Sequence, residues 1–146
     1  MKQSRRLQPI YAHKQRLEDE AAKRLAKISG EISQKKQSLS DLTSYRGEYE
    51  QKFQETSRAG ISAKRVKEYQ AFMNNLGKVL DQQKAAIDAL QLDFEEKKRQ
   101  WIAAKNKTKA LGKVQKNYQK QEDSQDEKMQ QKEQGDRGAR FLRNEI

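Results

Sequence analysis

The side chains able to do acid–base, nucleophilic or metal chemistry are few in this chain, and they are poorly placed for it. There is no cysteine and one histidine, His13, which leaves no thiolate nucleophile, no disulfide and no Cys/His ligand set. His13 reads as a solvated residue near the start of a helix. Carboxylates come as sequence neighbours, Asp19-Glu20 and Glu95-Glu96. Adjacent residues on a helix point in different directions, so such pairs cannot work as an acid and a base on one substrate. Gly60 stands without the companion glycines of a phosphate-cradling loop. No enzymatic activity, cofactor or metal is expected, and the remaining chemistry is recognition by cations and aromatic rings.

The cations are abundant: 32 Lys and Arg against 21 Asp and Glu, a net charge of +11. A balance of that size suits an anionic partner such as an acidic protein surface, nucleic acid or anionic lipid. Two regions hold most of the charge. One gathers Arg5, Arg6, Lys14 and Arg16 with Lys97, Lys98, Arg99, Lys105, Lys107 and Lys109, continued by Lys113, Lys116 and Lys120. The other holds Arg58, Lys64, Arg65 and Lys67. Solubility and helix pairing account for such charges as readily as electrostatic docking does. The arginines are not interleaved with aromatics in a base-reading motif, so nucleic acid is the weaker form of the docking reading.

Position sorts the aromatic residues, and position follows from the helices. From Leu25, apolar residues step by three and four through Ile28, Ile32, Leu39, Leu42, Tyr49 and Phe53, interrupted by Lys35 and Arg46. That is a heptad seam, weaker upstream at Leu7, Tyr11, Lys14, Glu18 and Ala21. The stepping resumes at Val66, Tyr69, Met73, Leu76, Leu80, Gln83, Ile87, Leu90, Phe94 and Trp101. It runs on through Ala104, Thr108 and Leu111, then more weakly through Gln115, Tyr118 and Met129. Between the seams lies Thr56-Ser57-Arg58-Ala59-Gly60-Ile61-Ser62. Here Gly60 suits a positive φ past a helix end, Ser62 suits the next helix's cap, and Ile61 and Val66 fall at staple positions.

A short turn between long seams predicts an all-α fold, a two-helix antiparallel coiled-coil hairpin with a longer second helix. The seams pair in register: Phe53 with Val66, Tyr49 with Tyr69, Leu42 with Leu76, Leu39 with Leu80, Ile32 with Ile87, Ile28 with Leu90 and Leu25 with Phe94. The polar Lys35 falls opposite the polar Gln83. The expected boundaries are a flexible N-terminus over 1–8, helix 1 over 9–57 with Pro9 opening it, a turn over 58–61 and helix 2 over 62–119. The second helix should protrude after about Lys113, with a frayed helix and mobile tail over 120–146, where Gly135 and Gly138 should end any helix and Phe141 and Leu142 offer a docking spot.

On this seam Tyr49, Phe53, Tyr69, Phe94 and Trp101 are core residues. Tyr45 and Phe72 are one residue off it. Both take g positions, which face each other along one flank of an antiparallel pair, with Val79 one heptad further. An exposed ring pair on a polar coiled coil is a candidate protein-binding site, and a widened core stripe is the alternative. No apolar run approaches the roughly 18 residues of a membrane span. Lys2, Arg5 and Arg6 are followed by no secretory apolar segment, and a cytoplasmic location is the simplest expectation.

Tyr45-Arg46-Gly47-Glu48-Tyr49, Gly60-Ile61 at the turn, and Tyr69-Gln70-Ala71-Phe72 with Leu76 resemble the FliJ family of flagellar type III export proteins. The likeness is clearest from about 38 to 95, and the run Gln131-Lys132-Glu133-Gln134-Gly135-Asp136 matches only loosely. The resemblance implies a non-enzymatic export component like the central stalk of a rotary ATPase. Its implied partners are a hexameric FliI-like export ATPase with its FliH-like regulator, the cytoplasmic domain of the export gate protein FlhA, and substrate chaperones that it escorts. It would work at the cytoplasmic face of the inner membrane, touching the membrane only through the gate. By the same likeness Leu42, Tyr45, Tyr49, Phe72 and Leu76 form the FlhA-facing patch. Arg5, Arg6, Arg16, Lys98, Arg99, Lys105, Lys107 and Lys109 are the expected contacts to the ATPase ring. A virulence-type III stalk protein and, more distantly, a basic nucleic-acid-binding coiled coil are the alternatives.

Overall fold

The computed structural model describes residues 1–145 and contains two helices, α1 (Gln3–Arg58) and α2 (Ala63–Glu145). They form a coiled-coil hairpin whose second helix is the longer, 83 residues against 56. Gly60, at φ 95°, is the one described residue with positive φ. The amides of Ala59 and Gly60 donate to the carbonyls of Thr56 and Ser57 at 3.2 and 3.1 Å. These i→i−3 bonds tighten the last turn and satisfy carbonyls that a helix end leaves free. Ser62 Oγ then accepts the Arg65 amide at 3.3 Å, and its carbonyl accepts the Val66 amide at 3.2 Å. That is the N-cap expected of Ser62. Ile61 and Val66 beside it are both half-buried.

The chain divides into two compact units, Ala22–Gln100, and Met1–Ala21 with Trp101–Ile146. In the first, the two helices run antiparallel from the turn and bury one seam. Ile28, Leu76, Leu80 and Ile87 are buried, and the other seam residues from Leu25 to Phe53 and from Val66 to Phe94 are half-buried. Lys35 and Gln83 share that half-buried state. A two-helix interface has no third layer to close over it. Side chains therefore bury one side only, and none of the described ones is fully enclosed.

The rings near the turn include the expected Tyr49–Tyr69 pair and a further stack. Phe53 stacks on Tyr69, with ring centroids 3.7 Å apart and planes 5° from parallel. Tyr49 lies between Tyr69 at 5.8 Å and Phe72 at 4.6 Å. Each knob inserts between two partner residues rather than meeting one. Phe53 thus takes Tyr69, the partner one step further from the turn than Val66, where a flat ring finds another flat ring.

In the second unit Ala21 and Thr108 are buried, and Thr108 returns its hydroxyl to the Ala104 carbonyl at 3.0 Å. α1 begins at Gln3 rather than at Pro9, because its first turn is held from α2. Glu122 accepts the Ser4 amide at 3.1 Å and the Ser4 hydroxyl at 2.5 Å. Gln115 donates to the Ser4 carbonyl and to Gln8 Oε1, and Lys2 pairs with Asp126 at 2.7 Å. These contacts offset the one backbone bond that Pro9 cannot donate. α2 is correspondingly paired as far as Asp126, well past the Lys113 at which protrusion is expected. It also remains helical through Gly135 and Gly138 to Glu145, where a frayed tail is expected. Neither glycine has a positive φ, and a helical glycine costs only about 1 kcal/mol relative to alanine.

Candidate protein-binding site

Tyr45, Tyr49 and Phe53 stand four residues apart on α1, and Tyr69 and Phe72 three apart on α2, so each set projects from one helix face. The antiparallel pairing in the unit Ala22–Gln100 brings the two sets together as five rings. Phe53 and Tyr69 stack at the turn-side end. Tyr49 bridges Tyr69 and Phe72, tilted 48° to the latter. Tyr45 closes the series with its ring 6.5 Å from Phe72 at 75°, an edge-to-face pair, and 6.3 Å from Tyr49.

Burial grades across this cluster. Tyr45 is 51% exposed, Leu42, Tyr49 and Phe72 are half-buried, and Leu76 is buried at 8%. Val79, 40% exposed, lies on α2 one heptad beyond Phe72. The five candidate residues therefore form one neighbourhood but not one kind of surface. Tyr45 and Phe72 offer apolar ring area to a partner, while Leu76 belongs to the packing beneath. Burial, and next the Glu50 carboxylate, push the Tyr69 phenol above its ordinary pKa. That ring stays neutral. Such an arrangement suits insertion of an apolar or aromatic side chain against the Tyr45–Phe72 edge, with phenol hydroxyls at the rim.

The candidate cations are distributed over both units. Lys98 and Arg99 belong to Ala22–Gln100, whereas Arg5, Arg6, Arg16, Lys105, Lys107 and Lys109 belong to the other unit. All eight are exposed. Arg99 is held by Glu96 on its own helix at 2.7 Å, which lowers the Glu96 pKa. The Lys105 ammonium sits 5.1 Å over the Trp101 ring, a cation–π contact that leaves its charge outward. Arg5 and Lys116 line one groove with Tyr11 and Gly112 between them.

Two features escaped the sequence reading. The involvement of Phe53 and Tyr69 in a continuous ring series was detectable from the four-residue spacing of Tyr45, Tyr49 and Phe53. The Glu122 cap was detectable too, since one further step of four from Tyr118 lands on Glu122; a charged side chain at a seam position simply does not read as a seam.

Among the described residues no helix is long and apolar enough to cross a membrane. No curated protein and no solved structure matches the chain. A family profile described as Flagellar FliJ protein matches residues 2–137, nearly the whole length and all of the ring cluster. The chain belongs to the flagellar FliJ family and is related to flagellar type III protein export.

Proposed function

We propose that this protein is a non-enzymatic stalk of the flagellar export apparatus that links the export ATPase ring to the gate protein FlhA and escorts substrate chaperones. The observation that carries the reading is the half-exposed Tyr45 ring set edge-on against Phe72. A surface ring has little to contribute to a two-helix core, and it supplies the kind of anchor that protein interfaces use. On this reading the Tyr45–Phe72 edge, with Leu42, Tyr49 and Leu76 beneath and beside it, meets the gate.

The cations Arg5, Arg6, Arg16, Lys98, Arg99, Lys105, Lys107 and Lys109 then engage acidic surface of the ATPase ring. They are exposed and mostly uncommitted to partners within the chain, which supports a docking role. The protein works at the cytoplasmic face of the inner membrane through these partners. Paired pull-downs of two variants test the division. Lys105→Glu/Lys107→Glu/Lys109→Glu should lose the ring and keep the gate, and Tyr45→Ala/Phe72→Ala should do the reverse. Both variants retaining both partners would refute it.

A further inference from the structure

The surroundings of the Tyr45–Phe72 edge carry the opposite charge to the chain. On a helix the neighbours of a side chain stand three and four residues away. For Tyr45 these are Asp41, Leu42, Glu48 and Tyr49, and for Phe72 they are Glu68, Tyr69, Asn75 and Leu76. Three are carboxylates and none is a cation, although Lys and Arg outnumber Asp and Glu by 32 to 21 in the whole sequence. The neighbours of Val79 on α2, which are Asn75, Leu76, Gln82 and Gln83, are uncharged. Of the cations on these turns, Arg46 is a half-buried seam position. Lys52 and Arg65 lie one heptad nearer the turn than Tyr45 and Phe72, about 10 Å along each helix.

These carboxylates are not neutralised within the chain. Asp41, Glu48 and Glu68 are exposed, and none forms an ion pair among the described residues. Asp41 accepts the side-chain amide of Gln37 at 3.0 Å, a neutral donor that leaves its charge in place. Asp41 and Glu48 are about 10 Å apart along α1, with Tyr45 between them. That ring is 51% exposed. Its face attracts a cation, and carboxylates on either side add to the attraction. Phe72, half-buried beside it, suits an apolar side chain. An acidic surface would instead meet unpaired like charges along this edge.

We propose that the partner surface seated on the Tyr45–Phe72 edge is basic, with a lysine or arginine over the Tyr45 ring between Asp41 and Glu48 and an apolar residue packed on Phe72 beside Glu68. The inference rests on the reading of this edge as the gate-binding surface and adds the charge of what it meets. The ring edge is then opposite in sign to the cations assigned to the ATPase ring, which discourages each partner from the other's surface.

Calorimetric titration of the full chain against the cytoplasmic domain of FlhA, repeated over a salt series, tests it. Asp41→Asn/Glu48→Gln/Glu68→Gln removes three negative charges and keeps side-chain shape. The variant is more positive than the wild type, so the direction of the effect identifies the sign of the partner. Affinity should fall by about tenfold at low salt, and the weakening of binding by added salt should shrink. Unchanged or tighter binding by the variant, with helicity and melting like the wild type, would overturn the inference. Wild-type affinity that does not weaken with added salt would overturn it equally. Tyr45→Ala/Phe72→Ala separates these outcomes from failure of the gate reading. Binding lost in that variant but kept in the neutralised one would leave the edge as the gate surface and show that its partner is not basic. Wild-type affinity in the ring variant, or no affinity of the wild type for the domain, would defeat the gate reading and the inference together.

Discussion

The ring of Tyr45 meets that of Phe72 edge to face across the two helices, with centroids 6.5 Å apart and planes at 75°. The pair is lopsided: Phe72 is half-buried, and Tyr45 is 51% exposed. Such a pair contributes on the order of 1 kcal/mol to the hairpin and leaves most of the Tyr45 face to a partner.

Stability and binding should therefore separate along the cluster. Leu76→Ala, at a buried seam position, should cost roughly 2–4 kcal/mol of unfolding free energy as a large-to-small core change. Tyr45→Ala should cost about 1 kcal/mol or less, the worth of one partly exposed aromatic pair. Chemical denaturation followed by circular dichroism checks both. Equal losses would place Tyr45 in the core.

Two glycines should respond to alanine in opposite directions. Gly47 lies inside α1 with open space where a Cβ would go, so Gly47→Ala should stabilise by about 0.5–1 kcal/mol through helix propensity and lost unfolded-state entropy. Gly60 holds φ at 95°, where a Cβ is strained, and Gly60→Ala should destabilise by about 1 kcal/mol. The thermal midpoints of the two variants should fall on opposite sides of the wild type.

The hairpin and its seam were legible because heptad stepping is a long, redundant signal. Lys35 and Arg46 interrupt it without hiding it, and Gly60 and Ser62 mark the turn by backbone requirements that few other residues meet. The ends were less legible. Pro9 reads as a helix start, and only the contacts of Glu122, Gln115 and Asp126 with the first turn explain why α1 begins earlier. Gly135 and Gly138 read as stops, although each imposes only a modest cost on a helix. The site was half legible: register placed Tyr45 and Phe72 side by side, but the stacking of Phe53 on Tyr69 depends on how flat rings share holes.

The Glu122 cap should make the start of α1 sensitive to acid. The Ser4 hydroxyl, opposed by partial burial and aided by the Ser4 amide, holds the Glu122 carboxyl below its usual range. A depressed carboxyl contributes stability that is fully present above the ordinary glutamate value of about 4.3 and lost as pH falls through the folded value. Amide exchange at residues 4–8 should thus be protected near neutrality and lose protection as pH drops below that range. Glu122→Ala should remove the protection at neutral pH and abolish its acid dependence. An unchanged exchange pattern in the variant would show that the first turn is held by something else.

Calorimetric titration of Tyr45→Ala/Phe72→Ala against the cytoplasmic domain of FlhA, with a thermal melt of the same sample, addresses the functional surface directly. The expected result is an affinity loss on the order of 2 kcal/mol, roughly thirtyfold, from a hairpin that stays helical at the titration temperature. Wild-type affinity in that folded variant would contradict the assignment of the Tyr45–Phe72 edge as the gate-binding surface.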